Sequence, residues 1–172
     1  NDHYRFRFDK MYTNEVVPIS KAYFDIEVDT INMLGDFPEM GECPINAVSY
    51  IFSNKVTVFL LRNKDNPLIE EFEKSINRDL FTELNDFIIS NVGGIDKARK
   101  FHVDNLEYEF KFYDDEVCLI HELFEYVNMN EPDFLLAWNM AFDIPYIIER
   151  LYALGYDPKE FLCHPSFSID QR

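Results

Sequence analysis

The stretch "AYFDIEVD", residues 22–29, places two carboxylates inside an otherwise apolar run that alternates like a β-strand. Successive side chains of a strand point to opposite faces, so Asp25 and Glu27 project together while the apolar neighbours pack behind them. Two adjacent carboxylates repel and raise each other's pKa, and a shared hard cation such as Mg²⁺ or Mn²⁺ removes this conflict. An edge-strand pair that faces water is the alternative interpretation. The stretch therefore predicts a strand with either a metal site or a solvated acidic pair.

Length and composition indicate one globular domain. The chain has 172 residues, of which 47% are hydrophobic and 16% aromatic, with 5 Gly, so a sizeable core can form and disorder is not expected. No run of about 18 apolar residues occurs, so no membrane-spanning helix or secretory signal is predicted. The chain lacks an initiator Met, and we expect a piece of a longer, cytoplasmic polypeptide, in the host cytoplasm if the protein is viral.

The charge balance constrains the partners. The chain has 16 Lys+Arg against 32 Asp+Glu and a formal net charge of -16, and so acidic a chain repels a phosphate backbone. This argues against a reader of duplex DNA. Divalent cations held by the acids, or a basic domain of the parent chain, could still bring nucleic acid close. Most of the acidic residues are expected to form a solvated surface.

The three cysteines predict neither disulfides nor a zinc site. Cys43, Cys118 and Cys163 are odd in number and widely spaced, which favours free thiols in a reducing compartment, and we expect them to be buried. Cys118 and His121 have a spacing that zinc ligands on a helix use, but no second pair completes a tetrahedral set. Core packing is the favoured interpretation of this pair.

The first part of the chain predicts three consecutive strands. Residues 1–20 read as a lead-in from a preceding N-terminal region, and the domain is expected to span residues 21–172. Residues 21–28 form the first strand. The stretch "INAVSYIFSNKVTVFLL", residues 45–61, contains two β-branched and aromatic runs joined at Ser53-Asn54, which is the pattern of a β-hairpin.

A helical insert is predicted next, over about residues 65–105. Apolar residues recur at helical spacing across residues 66–92, which fits one helix or a helical pair that Gly93-Gly94 ends. The stretch "EYEFKFYD", residues 107–114, alternates aromatic with charged side chains. It predicts a strand with one face exposed to water.

The remainder predicts helix, strand and helix. An amphipathic helix is expected to begin at the acidic residues 114–116 and to end near Val127, and "DFLLAWN", residues 133–139, reads as a short, fully buried strand. A helix follows from about Asp143 to Gly155. Three antiparallel strands followed by β-α-β-α units predict an α/β fold with a mixed sheet and helices on both faces.

A second motif lies in "AWNMAFDIPYIIERL", residues 137–151. The strand is expected to end at Trp138-Asn139, and the next helix to begin near Asp143 with Pro145 in its first turn. Asp143 is therefore a candidate N-cap, for which plain helix capping is a sufficient reason. An N-cap carboxylate can also face a metal at the carboxyl edge of a sheet, so both roles can hold together.

"FDIE" and the later N-x-x-F-D pattern, Asn139 to Asp143, together resemble the Exo I and Exo II motifs of the DEDD, or DnaQ-like, 3′ to 5′ exonucleases, which have a ribonuclease H-like fold. The resemblance covers about residues 20–165 and is closest to the proofreading domain of family B DNA polymerases, especially those of bacteriophages. It includes "GDFPEMGECPINAVSY", residues 35–50, and the helical insert. The short Asn to Phe-Asp spacing is similar to that of protein-primed phage polymerases and bacterial proofreading subunits.

The resemblance implies a mechanism with two divalent ions, Mg²⁺ or Mn²⁺, that clamp the scissile phosphate. It implies that Asp25 bridges both ions, that Glu27 holds the ion that activates water, and that Asp143 holds the second ion. Asn139 and Phe142 are expected to contact a single-stranded or frayed 3′ DNA end, since an aromatic face supports an unstacked base of any identity. The expected partners are this DNA end and the polymerase domain of the same parent chain, with no membrane.

The family's third motif, Y-x-x-x-D, supplies a fourth carboxylate and a tyrosine, and none follows Asp143. Tyr152 has Tyr156 at that spacing, and His164 and Asp170 are separated by one residue too many for the histidine variant. The chain is therefore expected to be incomplete at its C-terminus and weakly active or inactive. Two alternatives stay open: a free-standing DEDD exonuclease, and a non-catalytic single-stranded DNA-binding or scaffolding module of the same fold.

Overall fold

A five-stranded mixed sheet forms the centre of the computed structural model. The model describes residues 18–31, 33, 35, 37–63, 67–164, 166–168 and 170. The strands are β1 (Lys21–Val28), β2 (Ile45–Phe52), β3 (Lys55–Leu61), β4 (Glu107–Tyr113) and β5 (Phe134–Leu136). Their spatial order is β4-β3-β2-β1-β5. β1, β2 and β3 pair antiparallel, whereas β5 pairs parallel with β1 and β4 parallel with β3. The predicted α/β fold with an antiparallel start is confirmed.

Six helices accompany the sheet in the described part of the chain. They are α1 (Leu68–Ser75), α2 (Arg78–Asn91), α3 (Ile95–Lys100), α4 (Glu116–Asn130), α5 (Met140–Ala153) and α6 (Lys159–Leu162). None of them is long and apolar enough to cross a bilayer. Helices lie on both faces of the sheet, as predicted.

One face of the sheet packs against α4 and α5 and forms the core. The alternation of β1 is as predicted, because Phe24 and Ile26 are buried while Asp25 and Glu27 are exposed. The core residues of the helices that pack on this face are Leu119, Ile120, Leu123, Phe124, Tyr146, Ile147 and Leu151. α4 continues to Asn130, three residues past the predicted end, because its last turn still packs Tyr126 and Val127 on the core.

The helical insert covers part of the opposite face. This face carries a row of residues that are paired from β1 to β4, namely Asp25, Ser49, Val58 and Phe110. The ring of Phe72 in α1 lies 5.2 Å from that of Phe110, and the ring of Phe81 in α2 lies 6.0 Å from that of Tyr108. The insert thus shields β4 on this face, whereas Tyr23, Asp25 and Glu27 of β1 are exposed.

Of the two alternatives left open for residues 66–92, one helix or a helical pair, the structure shows the pair. The Asn77 side chain accepts hydrogen bonds from the backbone N–H groups of Asp79, at 2.9 Å, and Leu80, at 3.0 Å, and so begins α2. α2 ends before Gly93, as predicted, but the polar stretch beyond it also contains the short helix α3. Asn66 and the lead-in residues 1–17 lie outside the described residues.

The exposed face predicted for β4 is not observed. Glu109 accepts a hydrogen bond of 2.8 Å from the Tyr126 hydroxyl, and Lys111 Nζ lies 2.7 Å from a carboxylate oxygen of Glu122. Lys111 Nζ also lies 4.4 Å from the centre of the Tyr126 ring. The charged face of β4 is therefore half-buried under α4, where hydrogen bonds and ion pairs compensate the lost hydration.

β5 and the start of α5 also differ from the prediction. β5 has three residues, pairs only with β1 in the described sheet and leaves Phe134 52% exposed, so it is an edge strand rather than a fully buried one. α5 begins at Met140, not near Asp143. The Asn139 carbonyl accepts from the N–H groups of Phe142, at 2.7 Å, and Asp143, at 3.0 Å, which places Asp143 inside the helix. The N-cap interpretation of Asp143 is therefore wrong.

The thiols are free, but only one is buried. Cys43 is buried, Cys163 is half-buried and Cys118 is exposed on α4, contrary to the expected burial. The His121 ring packs edge-on against Phe161 with ring centres 5.9 Å apart. Cys118 belongs to the solvent side of an amphipathic helix, where its thiol lies next to the Asp115 side chain.

Candidate active site

Asp25 and Glu27 lie side by side on β1. Across the sheet Asp25 is paired with Ser49 and Glu27 with Ala47, and the regular pairing shifts directly after Glu27. Both carboxylates are exposed on the part of the sheet face that the insert leaves uncovered. Phe24 and Ile26 anchor β1 in the core, so the two acids project from a rigid element.

Asp143 approaches this strand from α5. Its side chain is 2% exposed, and its Oδ2 atom is buried without a hydrogen-bond partner among the described residues. Burial raises the pKa of the Asp143 carboxyl, and the charge of Asp25 raises it further. The backbone N–H groups of Ile26, Asp143 and Asn139 act in the opposite direction. The structure therefore brings Asp143 and Asp25 together.

A buried carboxylate oxygen without a partner, next to a second carboxylate, is a chemical fit for a hard cation. Asp25 and Asp143 are the two residues that this observation supports as ligands. Glu27 lies two residues from Asp25 on the same face. The described part of the chain holds no group of three His, Cys, Asp or Glu side chains arranged to hold a metal ion. The complete ligand set of Asp25, Glu27 and Asp143 stays a prediction.

Asn139 and Phe142 lie at the start of α5, where Asn139 is one turn before Asp143 and Phe142 directly precedes it. Asn139 is exposed and its side chain does not cap the helix, so the amide faces solvent. The Phe142 ring is half-buried and lies 5.1 Å from the Tyr146 ring, which fixes one side of it on the core. Both residues belong to the helix turn that leads to Asp143, and their contact with DNA stays a prediction.

Phe37 is a neighbour of the site that sequence reasoning missed. Its ring is exposed and packs edge-on against Phe142, with ring centres 5.7 Å apart. A single aromatic residue in a loop has no periodic pattern that would mark it. The only available signal is its place shortly after the "FDIE" strand in a stretch rich in Gly and Pro.

An ion-pair network, also missed, fixes α5 relative to α4 and to the start of β2. Arg150 donates to the Glu116 carboxylate through Nε, at 2.9 Å, and Nη2, at 2.8 Å. Its Nη1 donates to the carbonyls of Gly41, at 3.2 Å, and Glu42, at 3.1 Å, while Glu116 accepts from the Ile45 N–H at 2.7 Å. We call these five residues the Arg150 network. It holds the helix that positions Asp143.

Tyr146 and Gly41 complete this attachment. The Tyr146 hydroxyl accepts from the Cys43 N–H and donates to the Cys43 carbonyl, both at 2.9 Å. Gly41 has a φ of +75°, and a Cβ added there would lie 2.6 Å from the backbone carbon of Glu149. Only glycine allows this approach of the loop to α5. The segment before β2 is thus fixed on the helix that carries the site.

Comparison with models of protein families identifies what the chain is similar to. A family model described as "DNA polymerase family B, exonuclease domain" matches residues 4–168. No curated protein matches the chain. The family match extends over β1 and α5, which hold the carboxylates described above.

Proposed function

Because the chain belongs to the family of exonuclease domains of family B DNA polymerases, we propose that it removes nucleotides from single-stranded or frayed 3′ DNA ends as a proofreading activity. Membership of the family implies a hydrolase with 3′ to 5′ exonuclease function. The observation that supports the proposal best is the proximity of the buried Asp143 of α5 to Asp25 of β1. Asn139 and Phe142 lie in the first turn of the helix that carries Asp143.

In this proposal Asp25, Glu27 and Asp143 would hold two Mg²⁺ or Mn²⁺ ions, which would supply water activation and stabilisation of the departing 3′ oxygen. Asp25 would be the ligand that contributes to both ions, because it shares a face of β1 with Glu27 and its charge reaches Asp143. Asp143 is held in place by α5, and the backbone N–H groups of Ile26 and Asn139 favour its ionised form. A fixed, poorly hydrated carboxylate binds a cation without first losing a water shell.

The same proposal gives Asn139 and Phe142 the task of holding the terminal nucleotide. The exposed amide of Asn139 can donate a hydrogen bond to a sugar or phosphate oxygen and accept one from the terminal sugar hydroxyl. The Phe142 ring packs on Tyr146 and Phe37, and its exposed part would support an unstacked base. Stacking on a ring does not depend on base identity, which suits removal of any mispaired end. The polymerase domain of the parent chain is the proposed source of this end.

The test is hydrolysis of a labelled 3′ mismatch by the complete parent protein with Mg²⁺ or Mn²⁺. Asp25→Ala with Glu27→Ala, or Asp143→Asn alone, is expected to lower the rate by at least about 100-fold, because each change removes groups that act on the reacting phosphate. Glu149→Gln removes an exposed acid from the same helix and serves as the matched control. Full activity of the Asp25 and Glu27 double variant would refute the proposal and favour a non-catalytic DNA-binding module.

Metal binding can be measured without catalysis. Mg²⁺ is expected to raise the melting temperature of the unaltered chain and of the Glu149→Gln variant, because a ligand that binds only the folded state stabilises it. The Asp143→Asn variant is expected to show a smaller rise. Equal rises in all three proteins would remove Asp143 from the metal site.

A further inference from the structure

The stretch "DKARKFH", residues 96–102, places three cations on one short helix. Lys97, Arg99 and Lys100 fall within four residues of α3, and no other four successive residues of the sequence contain three cations. Asp96 is the one acid of the stretch. The three cationic side chains are exposed, whereas Ala98 between them is buried, so α3 turns one side to the protein and presents its cations to solvent. We call Lys97, Arg99 and Lys100 the basic patch.

The positive charge of the basic patch is not compensated within the part of the chain that the structure describes. Lys97 and Lys100 form no ion pair there. Arg99 Nε lies 3.9 Å from Asp104 Oδ2, with 66% of the Arg99 side chain exposed, and a pair of this kind contributes little. By contrast, Lys111 Nζ lies 2.7 Å from a carboxylate oxygen. The patch therefore keeps its charge available for an external anion.

Stabilisation of α3 itself does not account for the basic patch. The backbone N–H groups of residues 101–103 already bond to carbonyls of α3 at 2.9–3.2 Å, so these carbonyls need no cation. Cations at the end of a helix also interact with its dipole, but this effect is weak at exposed positions. Phe101 beside the patch is 59% exposed, and Lys100 Nζ lies 5.9 Å from the centre of its ring. Exposed cations beside an exposed ring are typical of surfaces that bind nucleic-acid strands.

The basic patch belongs to the insert, which lies on the sheet face that holds the carboxylates. α3 packs against α2, and α2 lies on this face because the Phe81 ring packs on that of Tyr108. Three strand spacings separate β4 from β1, a distance of about 14 Å. At about 3.4 Å per nucleotide, a strand of four or more nucleotides covers that distance. One DNA molecule can therefore contact both the carboxylates and the insert.

We propose that the basic patch binds the phosphate backbone of DNA. The proposal goes beyond the proposed function, because it assigns DNA binding to a surface outside the carboxylate site and requires no hydrolysis. Lys and Arg contact phosphates without reading the bases, so this binding is independent of sequence. Release of the cations that DNA condenses supplies its free energy. An acidic protein segment has the same sign of charge, but a chain from a family of DNA polymerase exonuclease domains favours DNA.

The test uses two triple variants with the same net charge. The patch variant is Lys97→Gln with Arg99→Gln and Lys100→Gln. The control variant is Lys74→Gln with Arg78→Gln and Lys159→Gln, which removes two Lys and one Arg from α1, α2 and α6. All six side chains are exposed, so both variants are expected to keep the fold, and thermal unfolding checks this.

Binding of labelled oligodeoxythymidylate to the 172-residue chain is followed by fluorescence anisotropy in EDTA, at salt concentrations from about 50 to about 200 mM. Each phosphate that a cation neutralises adds about 0.7 to the slope of log affinity against log salt for a single strand. The patch variant should therefore lose about 2 from this slope. Over this range the unaltered chain should lose about 20-fold more affinity than the patch variant does. The control variant should keep the slope of the unaltered chain.

A duplex of equal length distinguishes the two forms of DNA. If the patch binds a duplex, the slope for the duplex should fall by about 2.7 in the patch variant, since each contact adds about 0.9 there. A fall for either form, confined to the patch variant, supports the proposal. Slopes that are unchanged for both forms overturn it. Equal falls in the two variants also overturn it, because net charge and not the patch then explains the effect.

Hydrolysis by the parent protein separates this proposal from the proposed function. Unchanged slopes in the patch variant, with hydrolysis of a mismatched 3′ end by the parent, refute the basic patch and leave the proposed function standing. A reduced slope in the patch variant, with no hydrolysis by the parent, supports the patch and refutes the proposed function. Failure of the unaltered chain to bind either form of DNA at about 50 mM salt overturns the proposal.

Discussion

Among single residues, Asp143 combines burial with a nearby like charge, and this has a cost in stability. Burial, and then the charge of Asp25, raise the pKa of its carboxyl above the ordinary value of 3.8. A carboxyl that holds its proton more tightly in the folded state destabilises the fold once it ionises. This loss of stability is absent when the pH is below the ordinary pKa of the carboxyl. It grows as the pH rises toward the raised pKa and is complete above the raised pKa. Function and stability therefore conflict at this residue.

Asp143→Asn is expected to raise the melting temperature at neutral pH in EDTA, since the amide cannot ionise. Each 1 kcal/mol of stabilisation should raise the melting temperature by about 2–4 °C for a domain of this size. The gain should decline on acidification and vanish well below the ordinary Asp pKa of 3.8. Thermal unfolding followed by circular dichroism across this range measures it. A gain that is independent of pH would show that packing, and not charge, explains the change.

Among the elements, α4, α5 and the segment before β2 depend on the buried ion pair of the Arg150 network. The Arg150 and Glu116 side chains are 13% and 9% exposed, and each also bonds to backbone groups of residues 41–45. Removing one partner leaves a buried charge without compensation, which costs more than removal of both. The network therefore couples two helices and a loop.

We expect Arg150→Met and Glu116→Leu each to lower the free energy of unfolding by about 3–5 kcal/mol. The double variant should cost clearly less than the sum, because neither charge is then left alone. Urea unfolding of the four proteins in this cycle measures the coupling. Strict additivity would mean that the two side chains do not act as a pair.

The approach of the loop to α5 at Gly41 gives a prediction with an internal control. Gly41 and Gly155 both have a positive φ, +75° and +86°, but an added Cβ meets the Glu149 backbone only at Gly41. Gly155→Ala should cost about 1–2 kcal/mol for the left-handed backbone alone. Gly41→Ala should cost at least about 3 kcal/mol, since a clash is added. Similar losses, measured by urea unfolding, would contradict the close approach.

The sequence predicts the elements best where local pattern and packing agree. β1 and the β2-β3 hairpin are located to within a residue, because period-two alternation and the turn at Ser53-Asn54 are local signals. The start of α5 is set by the Asn139 carbonyl and by burial of Asp143 against β1. Since that burial depends on a distant strand, a local capping rule placed the helix start three residues too late.

The sequence marks some residues of the candidate site and not others. Asp25 and Glu27 are visible in the sequence because acids interrupt an apolar strand. The sequence does not mark Phe37, Glu116 or Arg150, because their importance arises from contacts between segments far apart in the chain. The half-burial of the charged side chains of β4 was also not predicted, because it depends on packing against α4. Alternation identifies the face of a strand, but not whether another element covers it.

At the scale of the whole molecule, the insert contrasts with the core. α1 and α2 contain no buried residues, whereas α4 contributes Leu119, Ile120 and Leu123 to the core. Backbone amides of the insert are therefore expected to exchange with solvent faster than those of β1, β2 and α4, because less apolar burial opposes local opening. Hydrogen exchange followed by mass spectrometry tests this. Equal protection throughout would show that the insert unfolds only with the core.

The pairing of β1 with β2 has a consequence for insertions and deletions. The register is regular up to Glu27 and shifts only between Glu27 and Val28. One residue added or removed between Tyr23 and Glu27 would reverse the facing of the strand beyond it and move an acid into the core. Residues added after Asp29 lie beyond the shift and leave that facing unchanged. Insertions and deletions that follow β1 therefore preserve the carboxylate pair, whereas those inside β1 disrupt it.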